Sequence, residues 1–436
     1  MVSKNFKIIS IVFCIIFISG FSYIKSISKA SSYAKACSRL GFAKISEQQA
    51  VYNILRIAGY LETKALRAAI YRSEIFSDPE AVFRQLSDPE KFYKSNFCKT
   101  DDFAQLLLYI TQTAFDRTFG QERLELHKKP WMDEYKTDYF KYASKLGLTK
   151  EILPNFEIRY DASLVLGASR PGLYARLTEM NFYLKQGLKT DMIFVLAGER
   201  ELWAEIDGFS PLVLEKFQEA ISLGISVDQI IFEDSLNIAS DKIEEGKGYI
   251  RSLADRLNII YDTQKPFEIR NNRFYLRVLD GAKPTEATMA QDLMKEFPLI
   301  ALKVLDTKAY QNGERPDTVS TARHFAEQFV QSIINEQRPK SVYNILAVSN
   351  NPYATRQAIA VQRECDNALK IAQLNNIKIT VHGVGFKAQE ENIAVIHSEL
   401  GALFSELFKN AYPEVNTEKL MFRTRKNDVI IPEIVL

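Results

Sequence analysis

From residue 38 to about residue 154 the apolar positions recur at helical steps. Val51, Ile54, Leu55, Ala58 and Leu61 follow one another at three- and four-residue intervals, and Phe103, Leu106, Leu107 and Ile110 do the same. A 3.6-residue period puts each set on one side of a helix. Strand-type alternation is missing from this stretch. Asp78-Pro79 and Asp88-Pro89 read as helix starts or turns, and Lys128-Lys129-Pro130 reads as a loop. The pattern predicts a helical domain over 37–154, whose stripes serve either as core or as a partner surface.

After Leu153-Pro154 the period changes. Short apolar runs now alternate with amphipathic stretches: Ser163–Gly167, a helix over Gly172–Gln186, Met192–Leu196, Ile230–Phe232, a helix through Thr285–Glu296, and Leu302–Leu305. A helix from Thr318 to Ile334 follows, then Asn344–Ser349, a helix from Thr355 to Leu374, Ile377–Val381 and a helix through Val395–Asn410. Strands alternating with helices predict an α/β fold over 155–436, a Rossmann-like parallel sheet with helices on both faces. Residues 202–280 read as a charged insertion with a hairpin-like stretch at Asn271-Asn272. Such sheets bind ligands at the carboxyl ends of their strands, so candidate function is sought just after each one.

The first 36 residues stand apart. Lys4 and Lys7 precede an almost wholly apolar run from Ile8 to Ile24, the pattern of a signal peptide or a short membrane anchor. Both imply export, to the periplasm or to its membrane face; a buried core helix is the bland alternative. Ser28-Lys29-Ala30 and Ala34-Lys35-Ala36 are small-x-small sites suited to a signal peptidase. Of the four cysteines, Cys14 lies in this run, leaving Cys37, Cys98 and Cys365. Export permits a Cys37–Cys98 disulfide, against isolated thiols acting as small hydrophobes.

At 436 residues, 46% hydrophobic and 25% charged, the composition is that of a globular protein of two domains. A formal net charge of +2 and the lack of any basic, aromatic-interleaved run argue against nucleic acid as a partner. Membrane contact is expected only through the N-terminal segment. A protein partner is left to the helical domain.

The first α/β strand ends in Gly167-Ala168-Ser169-Arg170-Pro171-Gly172 and runs into a helix. Such a turn lets backbone N–H groups and a helix start approach an anion, so Gly167, Ser169 and Arg170, with Arg176 as a further charge, are candidate ligand contacts. A tight turn without ligand is the alternative. Leu173-Tyr174 stand where a Walker A motif needs Lys-Ser/Thr, and Ser169 replaces the middle glycine of GxGxxG. The second strand ends in Ala197-Gly198-Glu199-Arg200-Glu201, either a polar substrate site or a salt-bridge cluster. Thr285 reads as a helix cap before Glu286. The histidines, His127, His324, His382 and His397, show no HExxH and no zinc spacing, and there is no GxSxG, so no metal is expected. His382 alone follows a strand directly.

In order along the chain these strand-end motifs resemble the YdcF-like family, the SanA/ElyC group. That family has a first strand ending in LG, an Arg-bearing helix, a Gly turn after the second strand, a small-Glu-Ala helix start, an Asn-Thr-x-x-Asn-Ala helix and a strand ending in Thr-Ser-x-Tyr-His-x-x-Arg-Ala. Here the matching residues are Leu166-Gly167, Arg170 or Arg176, Ala197-Gly198-Glu199, Thr285-Glu286-Ala287, Asp317-Thr318-Val319-Ser320-Thr321-Ala322, and Val348-Ser349-Asn350-Asn351-Pro352-Tyr353-Ala354-Thr355-Arg356-Gln357-Ala358. The likeness covers about residues 161–385. Ala354 stands where the family has histidine and Thr321 where it has asparagine. The resemblance implies a Rossmann-like fold, attachment to the bacterial envelope and a role in envelope biogenesis without an agreed reaction. It also implies Glu286, Thr318 and Arg356 as pocket residues, with Gly167 and Gly198 shaping the turns.

The leading expectation is therefore an envelope-facing protein that binds a phosphorylated or nucleotide-like anionic small molecule through Gly167, Ser169, Arg170, Gly198, Glu199, Glu286, Thr318 and Arg356. Its catalytic residues and cofactor are not specified by the sequence. Two alternatives stand beside it: a non-catalytic interaction protein using the helical domain, and an S-adenosylmethionine-binding, methyltransferase-like protein using an acid such as Glu199.

Overall fold

The computed structural model describes residues 31–415, apart from 60, 62–63, 74, 95, 97, 116–128, 209–239, 271–272, 298–301, 311–314, 338 and 389–392. The expected export run, the Ile230–Phe232 strand, His127, Lys128 and the Asn271-Asn272 turn lie outside the described residues. Within them, no helix is long and apolar enough to cross a membrane. Two compact units divide the chain: one holds the residues up to Ala114 and those from Ala411, the other those from Phe115 to Asn410.

In the first unit every assigned element is a helix: α1 (Ser32–Arg39), α2 (Ile45–Ile57), α3 (Lys64–Ser73), α4 (Pro79–Leu86), α5 (Pro89–Lys94) and α6 (Thr100–Phe115, whose last residue falls in the second unit). Pro79 and Pro89 open their helices, where a missing N–H costs nothing, and Asp78 caps α4 through the Ala81 amide. Val51, Ile54 and Leu55 are buried from α2, and Phe103, Leu106 and Leu107 from α6. Phe103 meets Tyr33 and Phe92 edge to face, and Tyr33 and Phe92 are tilted to each other, with centroids 5.2–5.8 Å apart. Ala34-Lys35-Ala36 lies within α1, and Cys37 and Cys98 are free thiols, as is Cys365 in the second unit.

The second unit is α/β. After α7 (Pro130–Glu134) and α8 (Lys136–Lys145) come β1 (Arg159–Tyr160), β2 (Ala162–Leu166), α9 (Arg170–Lys185), β3 (Lys189–Thr190), β4 (Ile193–Gly198) and the one-turn α10 (Ala204–Asp207). Then follow α11 (Ser240–Arg256), the hairpin β5 (Phe267–Arg270) and β6 (Arg273–Leu276), α12 (Glu286–Met294), β7 (Leu302–Thr307) and α13 (Thr318–Ile334). The last elements are β8 (Val342–Asn350), α14 (Ala354–Ile371), β9 (Lys378–Phe386) and α15 (Ile393–Ala411). Five strands form one parallel sheet in the order β7-β4-β2-β8-β9.

Burial on both faces explains why these strands read as continuous apolar runs. Alternate residues feed two cores. Val165, Val195 and Val348 pack under α9 and α12 with Leu173, Leu177, Met180 and Ala290, whereas Leu164, Leu196 and Ile345 pack under α13 and α14 with Phe325, Phe329 and Val361. Side chains of this kind each contribute roughly 1.5–3 kcal/mol on burial.

β9 runs five residues beyond the expected Val381, and His382 lies inside the strand opposite Leu346 instead of at its end. His-Gly-Val-Gly reads locally as a turn. It continues as strand because α14 packs so closely that a Cβ at Gly383 would stand 2.6 Å from Ala358 Cβ, and one at Gly385 2.8 Å from Ala354 Cβ.

Candidate functional site

A parallel sheet opens a crevice where its strand order reverses, because the helices that leave the two adjacent strands there lie on opposite faces. The reversal falls between β2 and β8: α9 leaves β2 toward one core and α14 leaves β8 toward the other. Neither helix start has a side-chain cap, at Ser169 or at Tyr353, whereas Thr285 caps α12 and Asp317 caps α13. A short segment crosses the far strand ends, with Ile152 paired to Gly385, the Asn351 side-chain amide donating to Lys150 O, and the Ala388 N–H donating to Thr149 O at 3.1 Å.

Arg176 ties the crevice together. From α9 its Nη1 donates to Leu166 O and Gly167 O, both at 2.7 Å, while Nε and Nη2 donate to Asn350 Oδ1 at 2.9 and 2.7 Å. Buried guanidinium groups need such multiple acceptors, and this one joins the end of β2 to the end of β8. These bonds hold the ends of the two strands together.

Gly167 leaves space for an acid. A Cβ there would stand 2.5 Å from Leu196 O and closer still to Glu286 Oε1. Glu286 is the first residue of α12, its own N–H bonded to Arg200 O at 2.9 Å, and its side chain is only 13% exposed. Arg200 Nε reaches Glu286 Oε2 at 3.4 Å, and among the described residues that carboxyl has no other hydrogen-bond partner. Burial raises the Glu286 pKa above the ordinary carboxylate value, against the opposing pull of Arg200.

The terminal nitrogens of Arg200 go elsewhere. Nη1 and Nη2 donate to the two oxygens of Asp207, each at 2.8 Å, in the planar fork that guanidinium and carboxylate share. Asp207 is fully buried on α10 and also accepts from the Trp203 N–H at 3.2 Å and the Arg170 N–H at 3.3 Å. The helix start expected to receive an anionic ligand thus already receives the chain's own carboxylate through Arg170, and Pro171 brings no N–H. The Arg170 guanidinium lies over the Tyr249 ring at 4.2 Å, with Nε buried and lacking an acceptor among the described residues.

The remaining expected residues are spread along the rim or away from it. Gly198 ends β4 against Pro316, whose side-chain carbons would be 2.8 Å from an added Cβ. Glu199 pairs with Lys308 at 2.7 Å and accepts the Ala309 N–H at 2.9 Å, contacts that hold its pKa below the usual value. It belongs to a salt-bridge cluster with Lys308 and Asp306. Thr318 opens α13 just behind the Asp317 cap. Arg356 points to α15, where it pairs with the buried Glu399, and Arg363 one heptad on pairs with Glu406. Its partner is a core carboxylate, not Glu286.

The three described histidines are bonded within the fold. His382 Nε2 meets Asn344 Oδ1 at 3.1 Å, His324 Nδ1 meets Thr307 Oγ1 at 3.1 Å, and the buried His397 meets Tyr139 Oη at 2.9 Å. Burial lowers the pKa of His382 and His397. Among the described residues, no group of three or more His, Cys, Asp or Glu side chains could hold a metal ion.

Sequence reasoning thus placed Gly167 and Glu286 together, and missed Asp207 and the site role of Arg200. Arg200 was visible in the Ala197–Glu201 cluster; Asp207, inside a charged insertion, carried no local signal.

The fold and crevice define the second unit as an α/β domain with a parallel sheet and a mostly buried carboxyl at its strand ends. Compared with family models, with curated proteins and with solved structures, the chain gives no match.

Proposed function

We propose that the crevice at the ends of β2 and β8 binds a small anionic molecule of phosphorylated or nucleotide-like type, and that Glu286 is the group that meets it. The observation that carries this reading is the Glu286 carboxyl, mostly buried at the strand ends yet held by a single long contact from Arg200. A carboxyl so placed, with its pKa raised by burial, is suited to donate a proton or a hydrogen bond to an acidic ligand. The start of α14, which has no side-chain cap, and the Arg170 guanidinium supply the positive side. The likeness to YdcF-like proteins, a Rossmann-like sheet, a separate helical domain and export through the N-terminal run are part of the same proposal.

The test is thermal unfolding of the full chain with inorganic phosphate, a sugar phosphate and ATP. A rise in Tm with at least one of them, lost in Glu286→Gln, is the expected result; no rise with any overturns the reading. A second reading, a non-catalytic interaction protein, is favoured by the internal pairing of Arg176, Asp207 and Arg356. It prevails if Glu286→Ala and Arg356→Ala fully complement a deletion of the gene while removal of residues 38–114 does not.

A further inference from the structure

We propose that Asp207 is a positioning residue for Glu286: by engaging both terminal nitrogens of Arg200 it leaves one oxygen of the Glu286 carboxyl, above Gly167, without a hydrogen-bond partner among the described residues and open to a ligand. This rests on reading the strand-end crevice as the binding site, and adds the device that keeps its acid available.

Arg200 stands between two carboxylates, and its fork can serve only one of them. Four N–H donors converge on Asp207, two from Arg200 and one each from Arg170 and Trp203, all within 3.3 Å. Glu286 receives one, from Nε at 3.4 Å. The asymmetry follows from placement. Asp207 ends the one-turn α10, where the Trp203 amide that begins the turn and the first amide of α9 both face it, so a buried charge finds the donors it requires. Glu286 instead lies at the start of α12 with its carboxyl over a glycine. Were the fork turned the other way, both Glu286 oxygens would be occupied by a bidentate cation. The charged groups around Glu286 are Arg200 and Arg176, which favour its ionised form, and Asp207, which favours its neutral form together with burial.

The experiment is a carbon-13 NMR titration of the full chain labelled at glutamate side-chain carboxyls, with the Glu286 signal assigned by its loss in Glu286→Gln. In Asp207→Asn the negative neighbour is gone and Arg200 is released toward Glu286, so the Glu286 midpoint should move to lower pH. An unchanged or higher midpoint overturns the proposal. Because Asp207→Asn removes a buried anchor and can impair folding, the wild-type protein supplies a second measurement that needs no substitution. Nitrogen-15 spectra of labelled arginine should show slow rotation and separate Nη signals for Arg200; a single averaged signal overturns the proposal equally. Calorimetry with phosphate and ATP separates the two readings. A shifted midpoint without binding leaves Asp207 in its role and removes the ligand, whereas binding with an unshifted midpoint does the reverse.

Discussion

Replacing Glu205 with glutamine should flatten the dependence of stability on pH around neutrality. Glu205 lies on α10 two residues before Asp207, is 4% exposed, accepts the Phe274 N–H of the hairpin at 2.7 Å through Oε1, and has a buried Oε2 with no hydrogen-bond partner among the described residues. Burial, opposed by hydrogen bonds and by Arg273, pushes its pKa from 4.5 up to about 7. The folded protein therefore holds a proton that the unfolded chain releases between those values. Stability falls as pH rises from about 4.5 to 7, and the loss is complete above 7. At about 1.4 kcal/mol per pH unit, the loss is about 3 kcal/mol. Glu205→Gln keeps an acceptor for Phe274 and cannot ionise, so wild type and variant should diverge by about 2.5 kcal/mol between pH 5 and pH 8, in favour of the variant. Any fixed cost of the amide cancels in this difference. Urea unfolding at several pH values, followed by the fluorescence of the chain's two tryptophans, Trp203 being near Glu205, supplies the numbers. Parallel stability curves for the two proteins across that range would refute the reasoning.

Two further substitutions probe the strand ends and the charged helices. Gly167→Ala forces a methyl group against Leu196 O and Glu286, and should lower stability by about 1–3 kcal/mol in thermal unfolding; an unchanged Tm would mean that Glu286 does not lie over Gly167. Arg356→Ala removes the ion pair to the buried Glu399 and should lower stability, by at most about 3–5 kcal/mol, in urea unfolding. Adding Glu399→Gln should then recover part of the loss, and no recovery would exclude the pair as its source.

The sequence by itself determined where the five strands of the main sheet and the helices between them lie, though not the last five residues of β9 or the elements inside the charged insertion. Continuous apolar runs such as Leu164–Leu166 and Val195–Ala197 need cover on both faces, and the helix from Thr318 to Ile334 has the limits its pattern predicts, behind an Asp317–Ser320 capping box. Glu286 was singled out only through the resemblance, by its place in a small-Glu-Ala helix start; the residues alone read as a threonine-capped helix. What only the tertiary structure decided is which charge meets which. Arg356 looks like a pocket residue in a motif, yet its length and its place on α14 carry it to Glu399 on α15, and Glu199 goes to Lys308. Asp207 looks like one acid among many in an insertion, yet it takes the fork of Arg200. Periodicity is a local property, fixed by how neighbouring residues share a surface. Ion-pair choice is set by distances between elements far apart in the chain, and those exist only once the sheet order β7-β4-β2-β8-β9 has formed.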